Sequence, residues 1–596
     1  MKRLMLLYLR PFNLIFFKMI SLRTYLLVFT AIVMLIVTSL YCLAGKSIWS
    51  PGLSNLDLPE NSNYLNASPW GVAPSHTSAW NINRWKDAIY SAGIKNVRGF
   101  RVDQPDIVES LRDTGFELNG ILQWSSTKSP GSVPADDLDG WEVYIRETVA
   151  KFPYVTHWEV WNEPPNFTHD KTPDSYAAIV ARAYDVIKTI DPGLQVGLAA
   201  KSTHLNYMAQ TIHAGARNKF DYITLHPYEV LDLVKTGYDA LYMNIAHGTR
   251  KMLQEFNPEK VSVPIRFTEV GTELEDPLNG EDAQAHQAGV LVKAMTMSLA
   301  QGIEKVYWFE PMDTEGLTLG LLESQSTPRK ALQAFENLVH LIGDYPVYLG
   351  WHRPQQGAMQ LFFRNKEQVV SISWADSDTS FRLAIGEKGA KVVDLVSGES
   401  QAPPGPAVVV GAEPVAVVYP ITTTGIVDTV RSALENRRRP LLPYNGGFGE
   451  VEMISITPDS ENGIRILGDP QIVSAGVERA FDLSRQTSLM AVLSPSFFNT
   501  FKEDVEVTLE VRAKPGATAT PGFNLKLDSY STAEVVAGEN SSPGWNSISS
   551  IEFYRKTWKI YDLTSTGSFG YQLRFESDSS ELSQYEVKKL SVRRLQ

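Results

Sequence analysis

From residue 70 to residue 309 the chain alternates between two hydrophobic rhythms. Short runs dense in β-branched and aromatic residues recur, and each is followed by a stretch whose apolar positions fall at helical spacing. The runs predict strands at 70–74, 97–102, 118–124, 157–162, 195–200, 222–226, 265–270 and 305–309. The stretches between predict helices, for example at 80–92 and 175–190. The second of these is preceded by Thr172-Pro173-Asp174 as a cap and ended by Asp191-Pro192-Gly193. Eight strands alternating with helices over about 275 residues have the size and rhythm of a (β/α)8 barrel.

From residue 345 the pattern changes to plain alternation. Strands are expected at 358–363, 368–374, 381–384, 391–395 and 407–418, with turns such as Ser397-Gly398-Glu399 between them, making a small β-sandwich over 344–420. A linker follows at 421–448, with a helical segment at 422–438. Its end, Arg437-Arg438-Arg439, reads as a solvated run rather than a binding patch. Residues 449–596 are again β-rich, with the clearest strands at 505–512, 523–527 and 571–576, as in a jelly-roll-like carbohydrate-binding module. Its Trp545, Tyr554, Trp558 and Tyr561 are expected either to stack on sugars or to pack internally. The overall expectation is an α/β chain in which a TIM barrel is followed by β-sandwich domains.

The N-terminal end adds a membrane element. Residues 25–44 form an uncharged apolar run, long enough as a helix to cross about 30 Å of hydrocarbon. Upstream lie Lys2, Arg3, Arg10, Lys18 and Arg23 without an acidic residue, which places 1–24 in the cytoplasm. Residues 45–67 read as a tether and 68–343 as an extracytoplasmic barrel, periplasmic in a Gram-negative cell. The alternative is a signal peptide cleaved near Ala44-Gly45 and a secreted product. Cys42 is the single cysteine, so no disulfide links the remainder. A chain of 596 residues is too long for one core, and its net charge of −12 argues against a nucleic-acid partner.

Candidate chemistry gathers at the strand ends, where barrel enzymes place it. Strand 2 carries Arg98 and Arg101; strand 3 ends at Gln123-Trp124. Strand 4 ends at Asn162-Glu163, and Pro164-Pro165 stop it there. Strand 6 ends at His226-Pro227-Tyr228, strand 7 at Thr268-Glu269-Val270-Gly271 and strand 8 at Trp308-Phe309-Glu310-Pro311. Carboxylates on the rims of strands 4 and 7 face each other across a barrel mouth. That suits acid–base or nucleophilic chemistry on a neutral polyol, with aromatic residues stacking on sugar faces. No HExxH, paired cysteine or dense His/Asp spacing is present, so neither a metal nor a cofactor is expected.

Trp161-Asn162-Glu163-Pro164 together with Thr268-Glu269-Val270-Gly271 resembles clan A of the glycoside hydrolases. The likeness spans about 70–343 and is nearest to family 39 and to membrane-tethered glycosidases of bacterial exopolysaccharide systems. It implies Glu163 as acid/base and Glu269 as nucleophile of a retaining mechanism, with Glu163 held protonated by burial and by its neighbour's charge. It further implies that Asn162 bonds a sugar 2-hydroxyl, that Tyr228 orients the nucleophile above His226, and that Arg98 keeps it ionised. Trp308 would be the floor of the central subsite, Trp124 a sugar platform, and Glu310 a substrate contact or a loop cap. Glu159, four residues before Glu163, shares its face but lies deeper, as a partner of Arg98 or Arg101. The expected substrate is a β-linked polysaccharide or oligosaccharide attacked internally. The alternatives are an exo-acting, xylosidase-like enzyme and a glycan-binding part of a polysaccharide biosynthesis or export complex.

Overall fold

The computed structural model describes residues 52–595 apart from 61–66, 102–104, 113, 125–133, 166–171, 235–238, 275–279, 315, 356, 367, 377–378, 386–388, 404, 442–451, 469, 476–477, 528–530 and 568–569. The predicted membrane-spanning run at 25–44 lies outside the described residues. Among those described, no helix is long and apolar enough to cross a membrane.

Eight parallel strands close into a barrel in chain order. They are β1 (Trp70–Val72), β2 (Asn96–Arg101), β3 (Glu117–Leu122), β4 (His157–Val160), β5 (Gln195–Lys201), β6 (Tyr222–His226), β7 (Ile265–Val270) and β8 (Lys305–Trp308). Each predicted strand is present, but β1, β3, β4 and β8 stop short of their predicted ends. At β4 the reason is local: Trp161 takes a left-handed φ of 67° and Glu163 one of 49°, neither of which a ladder accepts. Such values cost a non-glycine residue of order 1–3 kcal/mol, so the surrounding packing holds the strand-4 rim in a conformation it would not adopt alone. Inside the barrel, glycines make room for rings. A Cβ on Gly71 would come within 2.5 Å of Tyr307, and one on Gly197 within 2.5 Å of Tyr222.

The helix Pro173–Ile190 forms as its cap predicts, with Thr172 accepting from the Ser175 amide at 3.3 Å. The predicted helix at 80–92 is instead broken into His76–Trp80, a 3-10 turn Ile82–Arg84, and Lys86–Ser91. Asn81 supplies the reason, because its side-chain amide donates to the Thr77 carbonyl at 3.0 Å and diverts the backbone from a continuous ladder.

Beyond the barrel lies an antiparallel six-stranded sheet in the order Ser400–Gln401, Lys391–Val393, Val415–Pro420, Gln368–Ala375, Ala358–Asn365 and Val347–His352, with a separate pair Phe381–Ala384 and Ala407–Val410. The single strand expected at 407–418 is two strands, because Pro414 lacks the amide a continuous ladder needs. After the helix Val427–Asn436, the C-terminal residues form two further sheets that share one apolar core, from Ile454 to Val592. Trp558 is wholly buried in that core and so is withdrawn from any sugar surface. This domain docks on the barrel through polar contacts. The Lys251 ammonium donates to the Pro495 carbonyl at 3.1 Å, and the Thr203 hydroxyl to the Gly567 carbonyl at 2.9 Å.

Candidate active site

Two irregularities on facing strands open the C-terminal mouth. On β2 the register with β3 shifts between Arg98 and Phe100, and Gly99 sits at φ 96°. On β7 the register with β8 shifts between Phe267 and Val270, releasing Thr268 and Glu269 from regular pairing. With the left-handed turn at Glu163, these bulges aim three side chains at one point.

Arg98 is the hub. It is 1% exposed and makes a fork with wholly buried Glu159, Nε to Oε2 at 3.2 Å and Nη2 to Oε1 at 2.7 Å. Its Nη1 donates to Glu269, and its Nη2 donates to the Asn162 side-chain oxygen at 2.9 Å. Burial works against the guanidinium, but Glu159 and Glu269 more than offset it and hold Arg98 above its ordinary range. Glu269 also accepts from the Tyr228 hydroxyl at 3.0 Å. Tyr228 itself is held well above the ordinary phenol range, by burial first and then by the charges of Glu269 and Glu163, so it remains a neutral donor. Glu159 therefore takes the buried place beside Arg98. Arg101 lies on β2, but its side chain is outside the described residues.

His226 links the two rims. Its Nδ1 lies 2.8 Å from Glu163 Oε1 and 3.6 Å from Glu269 Oε2, and its Nε2 lies 3.0 Å from the Thr268 hydroxyl. Burial pushes the imidazole down, yet the charge of Glu269 and the bond to Glu163 raise it overall. For Glu163 the balance runs the other way. Burial is the largest cause and raises it, but His226, Arg98 and Lys201 together lower it. Where the resemblance implies a protonated Glu163, its surroundings hold the carboxyl below its ordinary range and hold the His226 imidazole, one short hydrogen bond away, above its own. Lys201, at the end of β5, is a contributor that strand-end reading passed over.

The pairing has a pH signature. His226, raised above its ordinary 6.5, contributes stability that is full below that value and is lost as pH rises through its folded pKa. Glu163, lowered below its ordinary 4.5, contributes stability that is full above that value and is lost as pH falls through its folded pKa. The stability lost in His226→Gln should thus be largest between pH 4.5 and 6.5 and shrink on both sides. Urea titrations from pH 3 to 9 measure it, and a loss independent of pH contradicts the ion pair.

One ligand atom each from Glu163, His226 and Glu269 fall within 4.8 Å of one another. The trio is close enough to grip a cation. Arg98 already pairs with Glu269 and His226 bonds Glu163, so a divalent ion would be desolvated beside a buried guanidinium. The arrangement suits proton transfer better than metal binding.

A recess of about 480 Å³ lies over these groups, lined by Glu163, Glu269, Arg98, Asn162, Gln123 and Phe309 among others. Of the residues predicted to bind substrate, Trp124, His226, Tyr228, Trp308 and Glu310 are not among its lining. Trp308 is wholly buried, with its indole N–H donating to the Leu319 carbonyl at 2.9 Å, because it is still in the β8 ladder; Phe309, one residue on, lines the recess instead. Trp124 stacks on Tyr144 of the helix Leu138–Lys151 at 6.3 Å, having left β3 two residues earlier. Glu310 is wholly buried and accepts from the Ser75 amide at 3.2 Å, the Ser75 hydroxyl, and the Thr314 hydroxyl at 2.9 Å, so it ties the loops after β1 and β8 together. His76 lines the recess, and the 58%-exposed Trp80 packs edge-on beside it at 6.2 Å between rings, a pair that the helical pattern concealed.

No protein-family profile matches the chain, and no curated protein matches it. Among solved structures it is similar to a family 39 glycoside hydrolase from Bacteroides cellulosilyticus WH2, with 15% identity and a TM-score of 0.46 over 61% of this chain and 82% of that one. It is also similar to the catalytic domain of GH30 xylanase C from Talaromyces cellulolyticus, with 13% identity and a TM-score of 0.42 over 61% and 98% of the two chains. A third is an α-L-arabinofuranosidase from Thermotoga maritima, with 12% identity and a TM-score of 0.40 over 60% and 92%. Its structural neighbours are thus glycoside hydrolases, while the chemistry inferred for this chain rests on the geometry above.

Proposed function

We propose that the protein is a retaining glycoside hydrolase that cleaves a β-linked polysaccharide internally. The observation that carries this reading is the approach of Glu163 and Glu269, whose nearest oxygens lie within 4.8 Å across the barrel mouth. A retaining pair stands about 5–5.5 Å apart, whereas an inverting pair leaves about 6.5–9.5 Å for water between them. Glu269, oriented by Tyr228 and Arg98, attacks the anomeric carbon. Glu163 gives its proton to the departing oxygen and then takes one from the water that releases the glycosyl-enzyme.

The proton can start on His226. Moving it along the 2.8 Å bond to Glu163 yields a neutral imidazole and a carboxylic acid without changing the proton count of the pair. Because Arg98 holds the Asn162 oxygen, the amide N–H₂ of that residue is the end left to meet a sugar hydroxyl. A recess of about 480 Å³ falls in the range of sites for ligands larger than one ring. Exposed Trp80 beside His76 adds an aromatic platform beyond the central subsite, which favours a polymer. Exopolysaccharides digested in deuterated buffer, followed by proton NMR and mass spectrometry, test the proposal. A β-anomer first, among oligosaccharides of mixed length, is expected; an initial α-anomer rejects the retaining mechanism, and release of single sugars alone rejects internal cleavage.

A further inference from the structure

A second recess, of about 690 Å³, opens at the other end of the barrel. Its walls come from the helix Ile245–Phe256, the turns before β7 and β8, the strand Val347–His352 and the segment after the helix Val427–Asn436. Ser262 precedes β7 and Gln301 precedes β8, so this is the N-terminal face, remote from Glu163 and Glu269. Its lining includes Arg250, Arg437, Arg438 and Arg439, with no carboxylate among the described residues that line it. In a chain of net charge −12 such a concentration of cations is anomalous. The arginine run lines this recess while Arg438 and Arg439 stay exposed, as the solvated reading of the sequence has them.

Three details make this more than a charged surface. One Nη of Arg250 donates to the Val261 carbonyl at 2.6 Å and the Val263 carbonyl at 2.5 Å, which fixes the guanidinium in place. Arg437 is held below its ordinary range by burial and by the adjacent charge of Arg438, a crowding that an anion would relieve. Tyr348 is 3% exposed and lines the recess, yet its hydroxyl has no hydrogen-bond partner among the described residues. An unpaired buried hydroxyl costs about 1–3 kcal/mol. Burial keeps that phenol neutral, so it remains a donor.

We propose that this recess is a binding site for a phosphate-bearing anion. The donors fit a phosphate better than a carboxylate. Four arginines line it, and a tetrahedral oxyanion presents acceptors in several directions, whereas a planar carboxylate is satisfied by one fork. The volume exceeds that of one phosphate group, so the ligand carries an organic body or a second phosphate. This inference is independent of the glycosidase reading.

Calorimetry on the full-length chain, with pyrophosphate as probe at low salt, tests it. Saturable binding is expected, weakened at least tenfold in Arg437→Gln/Arg438→Gln and several-fold in Tyr348→Phe. Both variants should hydrolyse substrate at the unaltered rate, because the catalytic pair lies at the opposite face. Comparison of glycerol phosphate with a short-chain phosphatidylglycerol below its micelle concentration separates a soluble phosphate from a lipid headgroup: tighter binding of the lipid assigns the headgroup, and equal binding the soluble anion. Absence of saturable binding of every probe, binding of acetate as tight as that of pyrophosphate, or unaltered binding in the double variant overturns the site.

Discussion

Glu269→Gln is expected to lower kcat by at least about 10⁴-fold, with the fold intact. The substitution keeps the size of the side chain and a hydrogen-bond acceptor for Tyr228 and Arg98, so the recess should still bind substrate and KM should change little. What is lost is the group proposed to make the covalent bond. Glu163→Gln removes proton transfer and is expected to cost about 10²–10⁴-fold, with less loss for substrates whose leaving group needs no proton. Azide distinguishes the two positions. With Glu269→Gly it enters from the vacated face and gives an α-glycosyl azide, whereas with Glu163→Gly it intercepts the glycosyl-enzyme and gives the β-anomer. An α-azide from the Glu163 variant, or full activity in either glutamine variant, would reverse or remove the assigned roles.

Strand order was readable because a buried parallel strand must be continuously apolar or β-branched, and a proline pair marks where one stops. The places of Glu163 and Glu269 at strand ends follow from the strand pattern, while their roles came from the resemblance of the two motifs. The failures cluster where the ladder ends. The resemblance implied Trp308 as a subsite floor, yet it still belongs to the β8 ladder; Trp124 was placed by its position at a strand end, but it follows β3 by two residues, where orientation depends on loop φ and ψ that the pattern does not encode. Glu310 shows a related limit: a carboxylate beside a proline looks alike whether it meets a sugar or caps a turn, and only Ser75, 235 positions away in sequence, decides it. The bond from His226 to Glu163 spans 63 positions and helps lower a carboxyl that burial and its neighbour's charge were expected to raise. The basic recess was hidden for the same reason, since Arg250 and Arg437 meet only when the barrel and the following helix pack.

Arg98→Leu is expected to destabilise the protein by about 3–5 kcal/mol, a large fraction of what holds a typical domain folded. The cost is not the lost attraction as such. It arises because Glu159, wholly buried, is left without the fork at 2.7 and 3.2 Å and must either stay charged in a poor solvent or take up a proton. Arg98→Lys should do little better, since one ammonium cannot serve Glu159, Glu269 and Asn162 in a single plane. The informative variant is Arg98→Leu/Glu159→Leu. Removing both charges eliminates the buried orphan, so much of the stability should return in a urea titration. Activity should not return, because Glu269 still lacks its cation and Asn162 its anchor. A double variant that regains both stability and activity would mean that Arg98 serves the fold alone. An Arg98→Leu protein that unfolds at the unaltered urea midpoint would mean that the Glu159 pair is not a buried charge at all. The expected split, stability recovered and catalysis lost, identifies one guanidinium as the link between the barrel interior and the attacking carboxylate.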